Sequence, residues 1–421
     1  MYEEAWGLEN VKKEAGGDFF SHYNSKRFIA CPSMSYFQNL PLELREVILD
    51  HLDAADFRNT LQAARFLRHS SEKRLYHRVA LPTDRNDAEG LERIHTLFLE
   101  TVVQNDHLAL HVVKLVLGDF NPPEEGNPDI NRVIGEAMKK MINLKELEIY
   151  GNPYIAHARL HSVPFSLTHL VISTQICADE EPVPGLLPIL QAHPDLEELA
   201  LDCSGLSDDL VSTLTAERKG LIPQNEILCP KLKRFDGYDE GLLLFLPRRR
   251  IESATSLGSG AGFFDDEGRG GDCRFLNPAL IPSFQYLRAL EVWPNREQYG
   301  PKYSLPTFAP YLTSLTHLEI VDDIRVLGRT GNRGDVLRAL RSMKSLESIT
   351  ISSGKFWGLT WMDVYNGIWD VRYFLPDIQE IFIGIEETDW MYHRYVKGKV
   401  IQRDTVDQNV ACWRYARWLR D

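Results

Sequence analysis

From residue 112 onward one short hydrophobic pattern keeps returning: an apolar residue, two others, then Leu-x-Leu or a close variant. It reads VVKLVL (112–117), LKELEI (144–149), LTHLVI (167–172), LEELAL (196–201), LKRFDG (232–237) and IESATS (251–256), and continues as LRALEV (287–292), LTHLEI (315–320), LESITI (346–351) and IQEIFI (378–383). Apolar residues at alternate positions predict a strand with one buried face, so each copy is predicted to be a short strand. The fifth and sixth copies fit the pattern least well. Between copies, Pro128 to Met141 gathers Ile130, Val133, Ile134, Ala137, Met138 and Met141 on one helical face, and Gly334 to Met343 behaves alike. Strand and helix therefore alternate, and each unit buries its apolar face only against its neighbours.

The first positions of the copies lie 19 to 36 residues apart. Ten copies at this spacing resemble leucine-rich repeats of the irregular kind, which implies an α/β solenoid. Only Asn152 and Asn295 stand where such repeats often carry a turn-tying asparagine, a departure that removes the support for smooth curvature while leaving the strand stacking. The glycine-rich stretch SLGSGAGFFDDEGRGGD (256–272) breaks the rhythm and reads as a surface loop. It lacks the Gly-Lys-Ser/Thr of a phosphate cradle. The tail 389–421 carries Trp390, Tyr392, Tyr395, Trp413, Tyr415 and Trp418 among charged residues, as expected of a cap over the last repeat.

The region before the array has a different period. After Leu40 and Pro41, residues Leu44, Val47, Ile48 and Leu52 make one helical stripe, and Phe57, Leu61, Ala64 and Leu67 make a second. Ser70 and Ser71 offer N-caps for a third helix holding Leu75 and Tyr76. Three helices this small carry more apolar positions than they can hide, so a partner surface is implied. The run Leu40-Pro41-x-Glu43-Leu44, Val47-Ile48, Leu52, Asp56-Phe57, Leu61, Arg65 and Leu75-Tyr76 resembles the F-box motif. That resemblance implies docking to the Skp-type adaptor of a cullin-RING ubiquitin ligase, with Leu40, Pro41, Leu44, Ile48, Leu52 and Phe57 as contacts. The expected organisation is an N-terminal extension (1–36), an F-box-like module (37–82), the repeat array (83–388) and the tail (389–421).

Composition narrows the partners. The 421 residues carry a net charge of −13, which disfavours a nucleic-acid or anionic-membrane surface. The six cysteines include no CxxC pair, and neither a signal-peptide core nor a bilayer-length apolar run is present, so an intracellular, soluble chain with free thiols is expected.

If the leucines of each copy point inward, alternate residues must line the opposite sheet face. Those positions are Lys114 and Val116; Glu146, Glu148 and Tyr150; His169 and Val171; Glu198 and Asp202; Arg234, Asp236 and Tyr238; Glu291 and Trp293; His317 and Glu319; Glu380 and Phe382. Among them eight acids face two basic residues, Lys114 and Arg234, with four aromatics mixed in. Such a surface suits a basic, partly apolar protein segment, and Glu146, Glu148, Tyr150, Glu198, Asp202, Tyr238, Glu291, Trp293 and Glu319 are the expected contacts. A solvated sheet with charges kept for solubility is the plainer alternative.

Chemistry has little foothold. His107/His111 and His157/His161 have four-residue spacing without the glutamate of a zincin helix. No nucleophile motif or phosphate loop is present, and Arg248-Arg249-Arg250 reads as a solvated turn. The expectation is a substrate receptor without a catalytic site, cofactor or metal. A non-ligase repeat scaffold and an enzyme hidden in an irregular α/β fold are the alternatives.

Overall fold

The computed structural model describes residues 68–81, 88–120, 128–151, 160–173, 185–202, 206–237, 239–256, 280–292, 309–321, 333–353, 371–373, 375–386, 390–396 and 399–405. The chain divides into two compact units, residues 1–178 and 179–421. The F-box contacts Leu40 to Phe57, the glycine-rich stretch after Ser256, and Tyr238, Trp293 and His157 lie outside the described residues.

In the first unit four strands run parallel in sequence order: β1 (Arg78–Ala80), β2 (Lys114–Phe120), β3 (Glu146–Gly151) and β4 (His169–Ser173). The helix Pro128–Lys140 is the one predicted from its apolar face, and Ala137, Met138 and Met141 are buried. The helix Arg68–His77 begins before Ser70, so Ser70 and Ser71 lie within it instead of capping it. Its Tyr76 ring stacks on Phe98, with centroids 6.3 Å apart. Val79 is buried and pairs with Leu115 of β2, so the last residues of the helical module already belong to the sheet.

The second unit continues with β5 (Glu198–Asp202), β6 (Arg234–Gly237), β7 (Ser253–Ser256), β8 (Ala289–Val292), β9 (His317–Val321), β10 (Ser348–Ser353) and β11 (Glu380–Glu386). Every neighbour from β5 to β11 is parallel. At the end the direction reverses: β12 (Trp390–Val396) adds antiparallel to β11, and β13 (Lys399–Thr405) adds antiparallel to β12. Tail residues thus extend the sheet over the last parallel strand, where an edge would otherwise be exposed.

All ten sequence copies are strands, and each strand starts two residues after its copy begins. The first residue of each copy (such as Leu144, Leu196 and Leu287) and the fourth (such as Leu147, Leu199 and Leu290) are buried. One slip of register would turn the apolar set onto the other face, so this alternation fixes which face is which. Backbone bonding at the strand starts repeats too. The Glu197 carbonyl accepts the N–H groups of both Lys233 and Arg234, the Lys233 carbonyl those of Glu252 and Ser253, and the Glu252 carbonyl those of Arg288 and Ala289. The parallel strands joined through helices form an α/β array consistent with a leucine-rich-repeat-like solenoid. Among the described residues no helix is long and apolar enough to cross a membrane.

Candidate protein-interaction face

Strand alternation delivers two kinds of surface in each unit, and the face opposite the leucines holds the polar positions. In the first unit these form one bonded group. Lys114 Nζ donates to Glu148 Oε1 and lies 3.6 Å from Glu146, while the Tyr150 hydroxyl donates to Glu148 Oε2 at 3.0 Å. His169 Nε2 stands 4.0 Å from the same carboxylate. Glu148 is only 2% exposed. Three neighbours converge on one carboxylate, so its charge is spent within the face, and the expectation of a solvent-facing Glu148 is corrected. A cation and a hydroxyl bonded to a buried carboxylate offset the cost of taking it out of water.

In the second unit the face has two runs. Over β5 to β8 it is open: Glu198, Ala200, Arg234, Asp236 and Glu291 are all partly exposed. Further along, Glu319 on β9, Ser348 and Thr350 on β10, and Glu380 on β11 are buried. Glu319 was expected to face solvent, and its burial at 6% exposure corrects that reading. Asp202 is the last residue of β5.

The open run is ordered by register. Arg234 sits between Glu198 and Ser253, and Asp236 sits between Ala200 and Thr255, which in turn aligns with Glu291. Arg234 Nε and Nη2 both reach Asp236 Oδ2 at 2.9 Å. Burial by itself would lower the pKa of Arg234. The carboxylates of Asp236, Glu198 and Glu291 outweigh that and hold it above its ordinary value. Thr255 Oγ1 donates to Glu291 Oε2 at 3.4 Å. Asp236 Oδ1 is buried and has no hydrogen-bond partner among the described residues.

At the strand starts, beside this face, charges instead alternate. Lys233 pairs with Glu197 at 2.7 Å and Lys231 with Asp195 at 2.6 Å, all on exposed side chains. These pairs are neutral in sum, whereas the open run brings Glu198, Asp236 and Glu291 into register beside Arg234.

The arginine triplet is not a solvated turn. Arg249 is buried against Glu217, its Nη2 2.5 Å from Oε2. Its Nε and Nη2 also donate to the Leu228 carbonyl, and its Nη1 to those of Phe245 and Pro247. Glu217 Oε1 accepts the Leu228 N–H at 2.6 Å. Arg248, in the left-handed backbone region at φ 63, donates to the carbonyls of Glu217 and Ile222 and to Gln224 Oε1. Only Arg250 reaches outward, over the Tyr286 ring at 5.6 Å. The missed signal lay in the helix Asp208–Arg218, where Glu217 continues the buried stripe of Leu210 and Leu214.

Of the two histidine pairs, His107/His111 lies within the described residues, and its members do not share a helix. The short helix holding His107 ends at Ala109, so His111 falls in the following turn, and His107 faces Glu72 at 3.6 Å. His161 is exposed.

No family model matches the chain. No curated protein matches it either. Among solved structures, a leucine-rich repeat-containing protein, LegL7 from Legionella pneumophila, is similar over 59% of this chain and 86% of its own, at 16% identity and a TM-score of 0.36.

Proposed function

We propose that this chain is a protein-interaction receptor whose repeat face holds a target protein. The carrying observation is the run of partly exposed charged side chains on β5 to β8, Glu198, Arg234, Asp236 and Glu291, set in register across parallel strands. Charges held in register give orientation and encounter rate to a partner of complementary charge. In the finer reading, residues 37–82 grip a Skp-type adaptor, making the chain the substrate-recognition subunit of an SCF-type cullin-RING ubiquitin ligase. What supports that part is the motif Leu40-Pro41-x-Glu43-Leu44 with Ile48, Leu52 and Phe57. Ubiquitin transfer would then be done by the partners, with this chain supplying proximity. The alternative is a non-ligase scaffold using the same face.

Co-purification of the full chain with a Skp-type adaptor, beside a Pro41→Ala/Leu44→Glu/Ile48→Glu variant, separates the two. Capture lost only in the variant is the expected result. An intact chain that captures no adaptor refutes the ligase reading and leaves the scaffold.

A further inference from the structure

The helix Arg68–His77 and the first residue of β1 carry the opposite sign of charge to the chain as a whole. Residues 68–78 hold four cations, Arg68, Lys73, Arg74 and Arg78, against the one carboxylate of Glu72, in a chain whose net charge is −13. We infer that Lys73, His77 and Arg78 form a docking site for an acidic segment of a partner protein, one that presents two carboxylates about a helical turn apart. The site lies in the first unit and does not depend on what the run over β5 to β8 binds.

Helical spacing and burial build the cluster. Ser71 and Glu72 are buried, whereas Lys73 and His77, four positions apart and so on one side of the helix, are both exposed. Arg78 follows at the first position of β1 and is exposed, while Val79 turns inward and is buried. The helix is fixed in place, since Tyr76 stacks on Phe98 and the His77 carbonyl accepts the Val113 N–H at 3.1 Å. The three groups are therefore held together by the fold and not by attraction to one another.

The acids nearest to them are engaged elsewhere. Glu72 faces His107 at 3.6 Å, and Glu146 and Glu148 share Lys114, which aligns with Arg78 across β1 and β2. Lys73 and Arg78 have no side-chain hydrogen bond or ion pair among the described residues. The crowding is felt at His77: partial burial, Arg78 and Lys73 all hold its pKa below the ordinary 6.5, and Glu146 acts the other way. A carboxylate arriving between the two cations relieves their repulsion and favours the imidazolium as well. Docking therefore takes up a proton, which links affinity to pH through one residue.

Geometry sets the spacing of the ligand. Side chains four apart on a helix start ~5–6 Å from each other. In an extended segment the side chains on one side recur every ~6.7 Å, so acids at i and i+2 reach Lys73 and the His77 and Arg78 end together. The strongly negative net charge disfavours a nucleic acid, which would have to approach the whole molecule, more than it disfavours a short acidic segment meeting this one patch.

The test is fluorescence anisotropy with the full chain and three labelled probes of equal length: a peptide with glutamates at i and i+2, its glutamine counterpart, and a single-stranded oligonucleotide. The glutamate peptide alone should bind, weakened about fivefold by Lys73→Gln or by Arg78→Gln and reduced by salt. Its affinity should rise about threefold as pH falls from 8 to 6, where glutamate is still ionised, and His77→Gln should abolish the rise while leaving the affinity at pH 8 nearly unchanged. Should Arg78→Gln disturb β1, Lys73→Gln on the exposed side of the helix keeps the test decisive. Absence of binding by the glutamate peptide overturns the inference, as does equal binding to the parent and the Lys73→Gln variant, or a pH rise that survives His77→Gln. An oligonucleotide that binds in place of the peptide and is weakened by the same variants also overturns it, by assigning the patch to another class of partner. None of these outcomes bears on the repeat face, which is read with a basic partner, or on the adaptor experiment.

Discussion

Two arginine–carboxylate pairs, fifteen residues apart in sequence, occupy opposite environments. Arg249 and Glu217 are wholly enclosed, and their polar atoms are met by backbone groups of Leu228, Phe245 and Pro247. Arg234 and Asp236 lie on the sheet face with side chains 27% and 21% exposed, and with one carboxylate oxygen left over. The first pair can do nothing further, because every valence is consumed in holding a connection between a helix and the next strand. The second keeps one carboxylate oxygen, Asp236 Oδ1, without a hydrogen-bond partner among the described residues. Saturation, rather than the presence of charge, separates architecture from a candidate site.

The sharpest way to break this contrast is Arg249→Met. It leaves Glu217 as a buried charge without its cation, a change that costs about 3–5 kcal/mol. Thermal unfolding should then shift down by roughly 10 °C for a unit of this size. Partner binding per folded molecule should be unchanged. The paired change Arg249→Met/Glu217→Gln should recover part of the loss, and a double-mutant cycle measures how much. A melting shift below about 1 °C would show that the enclosed pair does not hold the connection.

Cys229 probes the same region with a smaller effect. Burial pushes its thiol up to about 12; Arg249 pulls the other way and Glu217 adds to the rise. The protonated thiol is therefore the folded form, and its contribution to stability is fully present below the ordinary value of 9.0 and lost as pH rises from there toward 12. Cys229 should resist alkylation at pH 8 in the native chain, and a Cys229→Ala variant should lose less stability than the parent between pH 9 and 11. Equal losses in both would remove Cys229 as the titrating group.

How much of this could be read from sequence follows from which interactions are local. The Leu-x-Leu copies announce strands because alternation is a local property, and even the two poor copies are strands. Their poor fit has a steric origin. In β6 the Phe235 ring fills the space that a second large side chain would take, and a Cβ at Gly237 would meet that ring at 2.9 Å and the Leu201 carbonyl at 3.0 Å. A Cβ at Gly241 meets the same ring at 2.9 Å, and Phe245 stacks on it at 5.0 Å between centroids. One phenylalanine thus replaces several smaller groups, and the leucine pattern fades. In β7 the buried fourth position is only Ala254.

The site was legible in part. Register followed from the pattern, so Glu198, Arg234, Asp236 and Glu291 were placed on the correct face. Which acids are already consumed was not legible, since the Lys114–Glu148 and Tyr150–Glu148 contacts depend on how neighbouring strands align. Arg249 was missed for the same reason: a basic triplet looks solvated until its partner 32 positions earlier is brought under it. Burial of Glu319 likewise depends on packing that no six-residue window contains.

The smallest perturbation bears most directly on function. Arg234→Met keeps much of the stem and removes the cation that is paired with Asp236. Its stability cost should be about 1 kcal/mol or less, as for other partly exposed ion pairs. For a basic protein partner the sign reverses: it no longer competes with an internal guanidinium for Asp236, and its binding should tighten several-fold with a steeper dependence on salt. If Arg234 instead contacts the partner directly, the same change weakens binding. The direction of one anisotropy titration therefore tells an acidic acceptor with a built-in competitor from a mixed-charge surface in which the arginine is itself a contact.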